Sequence, residues 1–191
     1  MKRLDKHKKE DIMLVVIVGR SGAGKSTFIE AMGLPGECHC VLSQPMVDEV
    51  RRRDQPVDHD HIYSLAKEWY ATNKWWQLDY LLEWVEGKSL VLVDGLRYAF
   101  ELVRLREFFP EDLLVVKIVA TPEERFGRLK DRGKIPLASR EEFDRLERDE
   151  SVDMGIDEVL VAADLVVENF GTAEELREKA IRFGGLLKGL L

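Results

Sequence analysis

The stretch Ile12-Met13-Leu14-Val15-Val16-Ile17-Val18-Gly19-Arg20-Ser21-Gly22-Ala23-Gly24-Lys25-Ser26 decides the fold. Its opening run is apolar, rich in β-branched residues and cut off at once by glycine. That is the pattern of a strand buried on both faces of a parallel sheet. From Gly19 the chain matches G-x-x-x-x-G-K-[ST] without a gap, and a helix is expected over 25–33. Gly22 and Gly24 let the backbone curl so that N–H groups converge on phosphate oxygens, and the helix start adds the positive end of its dipole. A chance glycine-rich turn is the competing reading. The strand–loop–helix setting is what argues against it. The spacing therefore predicts an ATP phosphate site built from Gly19, Ser21, Gly22, Ala23, Gly24, Lys25, Ser26 and Thr27. Lys25 is placed to reach the outer phosphates, and Ser26 to hold Mg2+.

Working outward, short apolar runs alternate with helical periods. Strands are expected at His39–Leu42, Ser89–Val93, Leu113–Val119 and Asp164–Val167. Ile62, Leu65, Ala66 and Trp69 mark one helix face, and Leu78, Leu81, Leu82 and Val85 another. Further helices are expected at 45–53, 98–108 and 172–188. Thr121–Glu124, Ser139–Glu142 and Thr172–Glu175 carry the Ser/Thr-x-x-Glu capping form, with Pro122 at a first helical position. The alternation predicts an α/β fold with a mostly parallel sheet. A strand-ending carboxylate, Asp94, is expected beside the loop as a second Mg2+ ligand.

The chain has 191 residues with 29 Lys+Arg against 36 Asp+Glu, a formal charge of -7. A single domain of this size buries about 70% of its unfolded surface. The acidic balance argues against a broad nucleic-acid-binding face, which needs a basic surface. No apolar run approaches the roughly 18 residues of a membrane span. Residues 1–11 read as a disordered basic tail rather than a secretory signal, and the expected location is the cytoplasm. Cys38 and Cys40 lie two apart in an expected strand, a poor geometry for a disulfide. Cys38-His39-Cys40 and Asp58-His59-Asp60-His61 lack the spacing of a structural zinc site.

Several chemistries share the loop. A GTPase usually carries Asn-Lys-x-Asp, but here Asn73-Lys74-Trp75 is followed by Trp76. A motor-type ATPase would place glutamate after the strand aspartate, where Gly95 stands. A small-molecule kinase fits better. It must hold two anionic partners, neutralise the moving phosphoryl group and exclude water. Arg97, just past the strand end, is the expected acceptor-binding and catalytic cation. Arg125, Arg128 and Arg132 fall at i, i+3, i+7 before the Gly133 break, the pattern of a lid helix. Arg128 and Arg132 are the expected catalytic pair. A solvated face of ion pairs with nearby glutamates is the plainer alternative.

The loop, Val93-Asp94-Gly95-Leu96-Arg97, the run ATPEERFGRLKDRGK (120–134) and ERDESVDMGIDEVLVAADLVVENFGTAEEL (147–176) resemble dephospho-CoA-kinase-like and adenylate-kinase-related P-loop kinases. They are especially similar to a nucleotide-kinase-like family best known from archaea, over most of the chain from Ile12. The resemblance implies a three-layer fold around a five-stranded parallel core, in a single domain over 12–191. It also implies a helical acceptor-binding insertion (45–88) and a lid (133–150). It puts Asn169 and Gly171 near the adenine. Such kinases usually carry an aspartate just after the second strand, where this chain has Ser43-Gln44-Pro45-Met46, so that role falls to Asp48 or to no residue. A phosphate acceptor needs no strong base, whereas a hydroxyl acceptor such as dephospho-CoA benefits from one. The reading is therefore an ATP-dependent kinase with a nucleotide-like small-molecule acceptor. Dephospho-CoA kinase and an ATP-binding regulatory module with slow NTPase activity are the alternatives. All four tryptophans fall between residues 69 and 84. Trp69 and Trp84 are expected in the core, and Trp75 and Trp76 are expected to stack an acceptor base.

Overall fold

The computed structural model describes residues 12–131 and 139–191. The tail over 1–11, Arg132 and the break that follows it lie outside the described residues.

Strands β1 (Met13–Val18), β2 (His39–Val41), β3 (Leu90–Asp94), β4 (Leu113–Val119) and β5 (Leu165–Glu168) form one sheet in the order β2-β3-β1-β4-β5. Every pairing is parallel. The apolar run of β1 occupies the central position, where both faces are covered. Its side chains alternate between two cores, as the twofold period of a strand requires. Leu14, Val16 and Val18 join one core, and Val15 and Ile17 the other.

Helices α1 (Lys25–Ala31) and α9 (Ala173–Leu187) close the second core through Phe28, Ile29, Met32, Leu176, Ala180 and Leu187. On the opposite face lie α4 (Trp76–Trp84), α5 (Ala99–Phe108) and α8 (Ile156–Val161). The expected insertion is thus divided. Helix α4 covers the main sheet, whereas α2 (Gln44–Arg52) and α3 (His59–Thr72) share a small core of Met46, Val50, Leu65 and Ala66. Helices α6 (Pro122–Lys130) and α7 (Arg140–Arg148) have another, built from Leu129, Phe143 and Leu146 with Phe126 against them. Reciprocal capping boxes start α6 at Thr121 and α9 at Thr172, and the Ser139 hydroxyl accepts from the N–H of Glu142 at the start of α7. Cys38 lies in a 3-10 turn (Gly36–Cys38) rather than in the strand expected to hold it, and both cysteines are buried and free.

Helix α9 packs against α1 so closely that Gly184 takes no side chain. A Cβ there would stand 2.2 Å from the Met32 carbonyl oxygen, whereas one on neighbouring Gly185 would meet nothing within 4 Å. Gly184→Ala is expected to cost about 1–3 kcal/mol, several degrees in Tm. Gly185→Ala is expected to be neutral or to gain up to about 1 kcal/mol from helix propensity. Thermal unfolding of the two variants checks the contrast. Equal Tm values would contradict this packing.

Candidate active site

The loop between β1 and α1 is held through its carbonyl groups. Lys25 Nζ donates to Gly19 O at 2.6 Å and Arg20 O at 3.2 Å. Arg125 donates to Ser21 O at 3.3 Å, Arg128 to Gly22 O at 3.5 Å and Asn169 Nδ2 to Ala23 O at 2.8 Å. These bonds fix the peptide planes of the loop and with them the direction of its N–H groups. Gly22 and Gly24 have φ of 80° and 105°, a region that disfavours side chains. A Cβ on Gly22 would meet Arg125 O at 2.7 Å, and one on Gly24 would meet Asn169 Nδ2 at 2.5 Å.

Two cavities flank this loop. One, about 570 Å³, runs from Asn169, Gly171 and Leu176 past Gly24, Lys25, Ser26 and Thr27 to Asp94 and Arg97. The other, about 490 Å³, lies under α3 and is walled by Met46, Ile62, Tyr63, Tyr70, Tyr98 and Arg145, among others. Ser21, Ser43, Gly95 and Arg97 line both. The sheet places them there, since Asp94 pairs in register with Ile17 and with Val41 at the carboxyl ends of three neighbouring strands. That edge is where ligands bind in open α/β sheets. Ser26 and Asp94 share the first cavity, and their hydroxyl and carboxylate oxygens are a donor set suited to Mg2+.

Sequence reasoning missed Glu150. It sits in a single π-helical turn (Asp149–Asp153) after α7, with no exposed side-chain surface. Its Oε1 accepts from Arg97 Nη1 at 2.5 Å and from Ser21 Oγ at 2.7 Å, and its Oε2 accepts from the Ser21 N–H at 3.3 Å. Burial alone would raise its pKa. The Arg97 and Lys25 charges, with the bonds from Ser21 and Arg97, outweigh that and hold it at about 2. The same turn meets the rest of the site. Arg20 donates to Ser151 Oγ at 2.6 Å, His59 Nε2 lies 3.2 Å from Asp149, and the Tyr63 hydroxyl donates to Asp153. Its sequence signal is nil, because one acid in an acidic run looks like solvated surface.

Several expected residues take other positions. Arg125, on the expected lid face, is buried instead and forks onto Glu147 at 2.6 and 2.8 Å. Arg128 lines the first cavity and donates to the Asn169 carbonyl at 3.0 Å. Asn169 itself is buried, lines the first cavity beside Gly171 and donates from Nδ2 to the loop carbonyl. Asp48 is exposed on α2, accepts from Gln44 and pairs with Arg51, and lines neither cavity. Trp75 and Trp76 also line neither cavity. Trp75 stands edge-on to Phe100, and Trp76 packs edge-to-face on Trp69 with 4.8 Å between ring centroids. Their large apolar rings, partly buried, pack against the nearest core. The aromatic walls are tyrosines instead.

Beneath those walls lies a buried acid. Tyr70 OH is 2.7 Å from both Gln77 Oε1 and Glu101 Oε1, while Gln77 Nε2 donates to Leu42 O at 3.4 Å. A hydroxyl has one hydrogen to give. Donated to Glu101, it stabilises the carboxylate, the form that burial disfavours. Burial pushes the Glu101 carboxyl up to about 8, against the Tyr70 bond, which lowers it.

The AAA domain family matches residues 15–155. A UPF0200 protein of Methanopyrus kandleri is 32% identical over 87% of this chain and 86% of its own length. Another, from Thermococcus kodakarensis, is 28% identical over 85% and 91%. Among solved structures, a shikimate kinase from Acinetobacter baumannii in complex with shikimate is similar with a TM-score of 0.60 and 22% identity, covering 94% of this chain and 95% of that one. A gluconokinase from Sinorhizobium meliloti is similar with a TM-score of 0.54 and 16% identity, over 94% and 95%. At these identities the likeness is one of fold, that of small-molecule P-loop kinases.

The raised Glu101 pKa links stability to pH. The folded chain keeps a proton that the unfolded chain releases near 4.5, so this contribution is complete below about pH 4.5 and is lost as pH rises to about 8. Glu101→Gln is expected to flatten that fall. Denaturant midpoints of both proteins across this window check it, and parallel curves would refute it.

Proposed function

Because this chain belongs to the AAA domain family and to the UPF0200 proteins and folds as P-loop kinases do, we propose that it transfers the γ-phosphoryl group of ATP to a nucleotide-like small molecule. The observation that carries this reading is the pair of cavities meeting at Ser21, Ser43, Gly95 and Arg97. A hydrolase needs one phosphate site and a water, whereas a transferase needs two sites joined at the reacting atom.

The nucleoside end of ATP lies toward Gly171 and Leu176, and its phosphates run along Gly24, Lys25 and Ser26 to the junction. The loop N–H groups and Lys25 hold the phosphates, and Arg128 borders them. Ser26 and Asp94 would hold Mg2+, which when bound neutralises phosphate charge. The acceptor lies among Tyr63, Tyr70 and Tyr98, whose faces suit a planar ring. Arg97 receives its anionic end. An acceptor oxygen attacks the γ-phosphorus, the bond to the β–γ bridging oxygen breaks, and ADP leaves. Glu150, held near 2, is too weak a base to take a hydroxyl proton, and Asp48 lies outside both cavities. An acceptor that is already anionic, such as a nucleoside monophosphate, is thereby favoured over dephospho-CoA.

A regulatory ATP-binding module with slow NTPase activity is the second reading. Its support is that Glu150 already engages Ser21 and Arg97. A coupled ADP-release screen over AMP, CMP, UMP, GMP, deoxynucleotides and dephospho-CoA separates the two. Turnover that rises with one acceptor supports the kinase, and slow ATP loss indifferent to all of them supports the module. Lys25→Ala is expected to lower turnover about 100-fold or more with an unchanged circular dichroism spectrum. Full activity in that variant would end the proposal.

A further inference from the structure

We propose that Glu150 is an internal anion competing with the terminal phosphate of a bound triphosphate, so that it sets the preference of the loop between ATP and ADP. This rests on the phosphate-site reading above and adds a residue to it. The argument begins with position. The nucleotide-side cavity has one end at Gly171 and Leu176, and its other end is the junction lined by Ser21 and Arg97. A nucleotide whose nucleoside lies at the first end presents its outermost phosphate at the second. The donors there, the Ser21 N–H, the Ser21 hydroxyl and Arg97 Nη1, are all taken by one carboxylate at 3.3, 2.7 and 2.5 Å. Glu150 has no exposed side-chain surface, so solvent does not screen its charge from the junction.

A terminal phosphate arriving beside these donors meets a fixed negative charge and has to share or displace it. A diphosphate ends one phosphate short and meets less of it. Glu150 therefore weakens ATP more than ADP. It also binds an arginine that would otherwise offer its full charge to the phosphate. The π-helical turn that carries Glu150 is a distortion often found at functional sites.

The test is calorimetric titration of the full chain with the Mg2+ complexes of ADP and of the imido analogue of ATP, which is not turned over. Glu150→Gln keeps the shape and removes the charge. It is expected to tighten the triphosphate by about tenfold or more while changing ADP by less than about threefold. Glu150→Asp draws the charge back by one methylene and is expected to shift the ratio in the same direction by less. It carries the test if the glutamine variant fails to fold. A purely structural ion pair would lower stability and leave the ratio of the two affinities where it was, and that result would overturn the proposal. Failure of the wild-type chain to bind either nucleotide would instead overturn the phosphate-site reading itself.

Discussion

The loop depends on hydrogen bonds made to its carbonyl groups. Each carbonyl from Gly19 to Ala23 receives a side-chain donor: Lys25 for the first pair, then Arg125, Arg128 and Asn169 in turn. A buried loop with unpaired carbonyls would lose the cost of every unmade bond. Satisfying them also fixes the curl, because each peptide plane is then held in one orientation. Three of those donors come from distant parts of the chain. Arg125 and Arg128 stand on α6 and Asn169 follows β5, so the loop takes shape only when β4 and β5 are docked beside β1.

The same elements join the loop to the second cavity. Arg125 reaches Glu147 at the end of α7, and two residues later the π-helical turn begins. Glu150 turns inward to Ser21 and Arg97, while Asp149 and Asp153 face His59 and Tyr63 on α3. A five-residue turn thus contacts the loop, the segment just past β3 and the wall of the cavity under α3. Glu150 is charged although buried because it is fully paired, the condition under which a buried carboxylate is tolerated.

Much of the fold was legible because its signals are local. The β1 run, the threonine capping boxes and the helical stripes at Ile62–Trp69 and Leu78–Val85 all fell within a residue or two of their expected places. So did the neighbourhood of Lys25, Ser26, Asp94 and Arg97, since a motif and a strand end fix the direction of a residue in an α/β sheet. Long-range partners were not legible. The arginines of α6 share a face by spacing, yet Arg125 is buried against Glu147 while Arg128 borders a cavity. The adjacent tryptophans looked like stacking rings, but each was closer to a core than to a ligand space, and Tyr63, Tyr70 and Tyr98 form the aromatic wall.

Sequence alone therefore located the glycine-rich loop, the parallel sheet around it and the carboxyl-end edge of that sheet. These follow from glycine backbone freedom and from strand and helix periods, which act over a few residues. Only the tertiary structure decided which polar side chains reach the junction and which hold the loop carbonyls. Whether a given glutamate or asparagine is solvated, paired or buried depends on groups more than a hundred residues away, as for Glu150 with Ser21 and Asn169 with Ala23. Such pairings leave no period in the chain to read.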